Sequence, residues 1–209
     1  MKLNRSMYMK NISKSLLAGI CIAIGGMIFI SVPDKTIGSF LFSIGLFSVL
    51  IFKLNLYTGI VCKPKIYTNN LSLIPISFFG NILGASCVGI LLSNSEMIIT
   101  AKELCQIKLN ESTVEWWLGS IVCGMFIALA VYGWNSREDI HSHIMVVLGV
   151  MGFILTSSEH VVADAFYFSA GGELFNINAL MKLFECGIGN MLGGLFMGEM
   201  LIVSQEDDI

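Results

Sequence analysis

The sequence predicts an all-α membrane protein of six transmembrane helices, arranged as two inverted three-helix repeats with broken second and fifth helices in an aquaporin-like bundle. Three observations predict the helices: 55% of the 209 residues are hydrophobic and only 13% charged, the mean hydropathy is +0.79, and long apolar runs recur along the whole chain. A soluble domain carries about a quarter charged residues, so this chain lacks the charge to cover its surface and needs lipid as solvent. Each crossing requires roughly 20 apolar residues, and several runs reach that length. The net charge of −3 is too weak to imply a nucleic-acid partner.

Residues 1–14 form a basic segment with Lys2, Arg5, Lys10 and Lys14, expected as an amphipathic helix at the membrane surface. The first span, 15–32, follows this polar stretch and resembles the later runs, so it reads as a retained span and not as a cleaved leader. Pro33-Asp34-Lys35 makes a turn into the second span, 37–54, which meets the polar stretch Asn55 to Gly59. The third span, 71–92, carries Gly80, Gly84 and Gly89, spaced for close helix contact. Residues 93–113 read as a polar outer connection holding Lys102 and Lys108. The fourth span, 116–134, has tryptophans at both ends, as an interface belt predicts. The loop 135–143 leads to a fifth span that begins near Ile144 and meets Ser157-Ser158-Glu159-His160. A glycine-bearing loop, 171–178, precedes the last span, 180–203, and an acidic tail, 204–209. The whole chain, 1–209, reads as one transmembrane channel domain with repeats at 15–92 and 114–203.

Lysine and arginine set the orientation. With the N-terminus inside, the inner segments hold Lys2, Arg5, Lys10, Lys14, Lys53, Lys63, Lys65 and Arg137, and the outer ones Lys35, Lys102, Lys108 and Lys182. That excess places both termini in the cytoplasm and the protein in the cytoplasmic (inner) cell membrane as a multi-pass chain.

The halves echo each other. Gly80-Asn81-Ile82-Leu83-Gly84-Ala85 resembles Gly189-Asn190-Met191-Leu192-Gly193-Gly194 at one constant separation, and polar residues interrupt the second and fifth spans, at Thr58 and at Glu159-His160. Three spans per repeat is odd, so the second repeat lies upside down relative to the first. Paired broken helices in inverted repeats point to a pathway at the membrane midplane. Their backbone groups must line a cavity or be buried in protein, and their N-termini favour an anion.

Within that frame His160 stands out, since an ionisable residue inside a span is costly and faces the bundle interior. The alternative is a histidine tied to nearby backbone for packing alone. As a pathway residue it would stabilise an anion either as an imidazolium or by donating from a neutral ring, and its titration would give flux a pH dependence. Glu159 is adjacent, but neighbouring side chains on a helix diverge, so it either holds backbone or joins the pathway. Thr58 takes the matching position in the first half, where its hydroxyl both donates and accepts. Asn81 and Asn190 are amides in apolar helices, explained by interhelical hydrogen bonds or by a pathway role. Lys108 precedes the fourth span and is either a solvated loop lysine or an attractor of anions at the outer mouth. His141 and His143 read as surface residues. The six cysteines are scattered singly with no metal or disulfide spacing, the methionines are apolar filler, and no cofactor is expected.

At these residues the chain resembles the formate/nitrite transporter family over nearly its whole length. The stretch from Ser15 to Gly26, Leu56-Tyr57-Thr58-Gly59, Gly80-Asn81 onward, Glu159-His160 with Ala163 and Phe166 to Phe168, and Gly189-Asn190 through Gly194 carry the likeness in order. The resemblance implies a homopentamer with a pore in each protomer that conducts formate, nitrite, lactate or hydrosulfide. It assigns an outer hydrophobic slit to Phe42, Leu46 and Phe153 and an inner one to Leu56, Tyr57 and Ile127. It sets a central site at Thr58 and His160, with Glu159 and Asn190 beside them, and an anion-attracting vestibule lysine at Lys108. The chain departs from the family pattern at Gly124, where asparagine is frequent, at Ser158, where an aromatic often stands, and at Tyr57, where phenylalanine is usual. With its compact length, these departures turn the resemblance toward the hydrosulfide-channel branch.

Two other classes compete. A membrane enzyme using Glu159 and His160 as acid and base lacks a nucleophile-bearing motif or cofactor fingerprint. A neutral-solute pore of the aquaporin kind would show paired Asn-Pro-Ala signatures, which the sequence lacks.

Overall fold

The computed structural model describes residues 5–92, 97–136 and 138–205, and within them the chain is helical with no strand. Helix α1 covers Arg5–Ser31, α2 Lys35–Ile51, α3 Tyr57–Val61, α4 Ile66–Asn69 and α5 Leu73–Leu92. Helix α6 covers Ile98–Asn110, α7 Thr113–Ser136, α8 Ile140–Leu155, α9 Val161–Ala170 and α10 Ile177–Val203. Four of these, α1, α5, α7 and α10, are long and apolar enough to cross a membrane. The second and fifth apolar runs instead divide into the pairs α2–α3 and α8–α9.

Both breaks are made in the same way. Lys53 and Ser157 take left-handed φ values of 51° and 55°, which reverse the chain after α2 and α8. The Leu54 N–H then bonds the Val49 carbonyl at 2.9 Å and the Ser158 N–H the Phe153 carbonyl at 2.8 Å, with the Lys53 and Ser157 N–H groups on Leu50 and Ile154. This is the paired bonding of a Schellman cap, usually built on glycine. A non-glycine residue in that conformation is strained by about 1 kcal/mol. Lys53→Gly is therefore expected to stabilise the protein by about 0.5–1 kcal/mol, read as a higher Tm in mild detergent; an unchanged or lower Tm would show that the cap carries no strain.

Helix α1 packs along α5 and α2, α7 packs along α10 and α8, and the two sets meet where α2 lies on α8 and α5 on α9. Small residues permit the two tightest contacts: a Cβ at Gly84 would overlap the Leu16 carbonyl, and one at Gly193 the Ile121 carbonyl. Trp116, Phe42, Phe166, Phe168, Ile22 and Leu56 fill the interior, while Phe40, Phe79, Leu91 and Phe196 point outward, as suits a hydrocarbon solvent.

Two expectations change. The basic N-terminal segment is no separate surface helix, since its described part runs unbroken into the first span as a 27-residue helix. The polar connection contains α6, whose Ala101, Cys105 and Lys108 are buried along one face against α9. Lys2, Arg137 and the acidic residues Glu206, Asp207 and Asp208 lie outside the described residues.

Candidate functional site

The two breaks face each other at the centre of the bundle, and matched asparagines hold them. Asn81 on α5 accepts the Tyr57 N–H at 2.6 Å and donates to the carbonyls of Ser15 and Asn55 at 2.7 and 2.9 Å. Asn190 on α10 accepts the Val161 N–H at 3.0 Å and donates to Ser120 and Glu159, both at 2.7 Å. Each amide thus satisfies backbone groups that helix ends leave unpaired. Both side chains are fully buried and engaged by backbone on every side. The same bonds pair Tyr57 with Val161 and so Leu56 with His160 across the halves. Thr58 and His160 touch without being register mates, contrary to the positional match expected from sequence.

His160 caps α9: its Nδ1 accepts the Ala163 N–H at 3.3 Å, and its Nε2 lies 3.1 Å from the Thr58 hydroxyl. An accepting Nδ1 carries no proton, so the ring is neutral with its proton on Nε2. The positive end of α9 acts in the same direction. The Nε2–H therefore donates to Thr58 Oγ1, and of the two forms expected from sequence this geometry holds the neutral one. The Thr58 hydroxyl hydrogen then has no acceptor among the described residues. The Tyr57, Val161 and Ala163 N–H groups are already bonded to side chains, so that hydroxyl is a free side-chain donor at the centre, beside the remaining N–H groups of the two helix starts.

Aromatic and aliphatic side chains flank this pair. The Phe153 ring stacks on His160, centroids 5.4 Å apart, and meets Phe42 edge-on at 5.7 Å. On the other side a cavity of about 70 Å³ is lined by Leu46, Leu56, Gly59 and Val131 among others. Leu46, expected with Phe42 in the outer slit, sits one helical turn deeper and joins Leu56. Tyr57 is directed elsewhere, its hydroxyl donating to the Gly187 carbonyl at 3.0 Å and its ring set against Phe78. Ile127 is buried one turn from Val131 on α7, a residue the sequence reading did not name.

A cavity opens at each end. One, of about 350 Å³, is lined by Lys35, Lys108, Glu111, Phe153, Glu159, His160 and Asp164 together with apolar residues. The other, of about 540 Å³, is lined by Lys53, Lys63, Lys65, Asn55 and Trp134 among others. The 17 residues of α2 separate Lys35 from the far end, about 25 Å at 1.5 Å per residue, so these are opposite mouths. Lys14, whose Nζ donates to the Lys53 carbonyl, belongs to the second mouth. Lys182, bonded to the Glu111 carbonyl, belongs to the first. These lysines fall into the two groups that the sequence expectation gave them.

Lys108 is no solvated loop lysine. It is buried, bonded to Glu159 and 2.9 Å from Asp164 Oδ1, and it lies 5.8 and 5.7 Å from the ring centres of Trp116 and Tyr167. Glu159 thus faces the Lys108 mouth with its side chain while its carbonyl is held by Asn190. Asp164 was missed. Its signal was present, as an acid within the apolar run Val161 to Ala170 is as costly as the histidine four residues earlier. At Gly124 a Cβ would overlap the Asn190 carbonyl, so the asparagine frequent in related sequences does not fit this packing. His141 and His143 lie far from the pair, His141 against Asp139 and His143 against Phe47 and Trp134.

A helical membrane protein built around a buried hydroxyl–imidazole pair, reached from a mouth at each end, is the class this architecture defines. The formate/nitrite transporter family pattern matches residues 1–204, and the chain belongs to that family. It is 28% identical over 90% of its length to a formate-nitrite transporter of Entamoeba histolytica, and 26% identical over 87% to an uncharacterised transporter of Saccharomyces cerevisiae. The match covers 62% of the first and 34% of the second, less than two thirds of either relative. The fold is that of an FNT family ion channel, with TM-score 0.84 and 18% identity over 94% of this chain and 90% of the other. A pentameric formate channel with formate bound gives TM-score 0.82 and 21% identity over 97% and 99%.

Proposed function

We propose that the chain is a membrane channel, not an enzyme, that passes small monovalent anions between the Lys108 and Lys63 mouths, with Thr58 and His160 as the polar station on the way. The observation that carries the reading is the buried Thr58 hydroxyl, oriented by a neutral His160 and left with a free hydrogen between two apolar constrictions. An anion in an apolar slit loses its hydration and needs a replacement donor. One hydroxyl supplies a single bond, enough for a weakly hydrated ion and too little for a strongly hydrated one. Phe42 and Phe153 form the slit nearer Lys108. Leu56, with Leu46, Val131 and Ile127, forms the slit nearer Lys63, and Tyr57 packs behind it against Phe78. Glu159 and Asn190 act as positioning residues of the second break, one through Lys108 and one through backbone.

The reading extends to architecture. The parallel roles of α1 and α7, α5 and α10, and the capped breaks after α2 and α8 support two inverted repeats, 15–92 and 114–203, in one channel domain spanning 1–209, crossing the membrane six times. The lysine excess at the Lys63 mouth supports a cytoplasmic location for that mouth and for both termini in an inner membrane. The structural likeness to a pentameric channel supports a homopentamer. Cross-linking in mild detergent should reach five copies, and a ladder that stops at dimers would exclude that assembly.

Formate, nitrite and hydrosulfide are the candidate ions, and the departures at Gly124, Ser158 and Tyr57 favour hydrosulfide. Proteoliposomes should take up these ions well above chloride while remaining poorly permeable to water. High water permeability without anion uptake would instead establish the neutral-solute pore, the reading that a site lacking a fixed central cation otherwise favours. Phe153→Ala should widen its slit and bring the chloride-to-formate ratio toward one; an unchanged ratio would remove Phe153 from the selectivity barrier.

A further inference from the structure

The two mouths differ in charge. The lining of the Lys108 mouth sets Glu111, Glu159 and Asp164 against Lys35 and Lys108, whereas the described lining of the Lys63 mouth holds Lys53, Lys63 and Lys65 and no carboxyl group. With every group ionised, the lining of the first mouth is negative by one charge, which Lys182 beside Glu111 offsets, and the lining of the second is positive by three, to which Lys14 adds a fourth. The surplus carboxylate is not a solvated surface group: Asp164 is 1% and Glu159 3% exposed. Asp164 Oδ1 has no hydrogen-bond partner of good geometry, although the Lys108 ammonium lies beside it. One ammonium cannot satisfy two buried carboxylates, because crowded like charges oppose joint ionisation. The cluster is thus built to share a proton.

We infer that the Lys108 mouth is a proton-binding gate, in which a proton taken up by the Glu111–Glu159–Asp164 cluster admits anions from that side only. The inference rests on the channel reading of the same site. Unprotonated, the cluster adds a repulsive barrier in a narrow, low-dielectric vestibule, where charge acts strongly on an incoming ion. Protonated, it leaves Lys35, Lys108 and Lys182 to attract it. The described lining of the Lys63 mouth has no such group and collects anions at every pH near neutrality, so the channel rectifies when the cluster is charged.

The surroundings of Asp164 are accounted for on each side. From α6 come Lys108 and Cys105, with Glu173 beyond Cys105, and after α6 comes Glu111. The break supplies Glu159 and His160, and Tyr167 lies one turn along α9. Helix α10 presents the Cys186 thiol, 3.5 Å from Asp164 Oδ2, and Lys182, while α7 presents Cys123. No charged residue of α5 faces the cluster, since that helix has none, and those of α1 lie at its opposite end. Glu111, outside the membrane spans, is pushed up to about 7, first by burial and then by the neighbouring Glu159, with Lys108 opposing. That places the titration of Glu111, one member of the cluster, near physiological pH.

The test is single-channel current in planar bilayers at low salt, with formate on both sides and pH set independently on each. At about pH 8 the wild type should pass less inward-going anion from one side, by a ratio on the order of tenfold. Acidifying that side alone to about pH 5.5 should abolish the rectification, and acidifying the other should not. Asp164→Asn and, separately, the half-buried Glu111→Gln should each reduce the rectification at about pH 8. Symmetrical wild-type current at that pH, or rectification that survives both substitutions, would overturn the gate while leaving an anion channel. Absence of anion current at any pH would overturn the channel reading and the gate with it.

Discussion

Lys108→Met is expected to destabilise the protein by about 3–5 kcal/mol, the cost of leaving buried charge without its partner. Glu159 and Asp164 would face each other with no cation between them, and both are almost wholly buried. Because the penalty belongs to the abandoned carboxylates and not to the lost ammonium, adding Glu159→Gln and Asp164→Asn should recover most of it. Thermal unfolding in detergent checks this order. A Lys108→Met protein with the wild-type Tm would show that the cluster is protonated and neutral without its lysine.

Asn190→Leu is expected to be at least as severe. It leaves the Val161 N–H and the carbonyls of Ser120 and Glu159 without partners, each costing about 1–3 kcal/mol when buried. Asn81→Leu strands the matching groups in the other half and should cost a similar amount. Both variants should give little folded protein, with the break unable to hold Thr58 against His160. Normal yield and Tm for Asn190→Leu would mean that the backbone repairs itself, and that the amide is not what holds the break.

How far the sequence revealed this depended on what each feature requires of its neighbours. Apolar runs and the repeated Gly-Asn segments are local, so α5, α7 and α10 fell close to their expected positions. The breaks were legible because Thr58 and Glu159-His160 interrupt apolar runs, but their cause, strained caps at Lys53 and Ser157, lies in backbone angles that no residue type there announces. Helix α6 escaped because its polar composition hid a buried face of Ala101, Cys105 and Lys108. The state of His160 depended on a bond from Ala163 that exists only once α9 begins at residue 161. Asp164 was readable in principle, and its partner Lys108 was not, since 51 residues separate Lys108 from Glu159 and only the fold joins them. Val131 came to light through packing alone.

The neutral histidine also predicts where pH acts. His160→Gln keeps a donor near Thr58 without a titratable ring, so flux should fall while its pH profile stays that of the wild type, set by the vestibule carboxyls. Loss of the profile in this variant would return the proton to the centre of the pore.

The account rests most directly on the Thr58 hydroxyl, and the deciding measurement is formate uptake by proteoliposomes carrying Thr58→Val. Valine matches threonine in shape and removes only the donor, so assembly and Tm should hold. Losing one hydrogen bond to a desolvated anion, about 1.5–3 kcal/mol, should lower uptake by about tenfold to a hundredfold. Uptake by Thr58→Val equal to the wild type, at equal protein and oligomer content, would contradict the claim that anions cross through this pair.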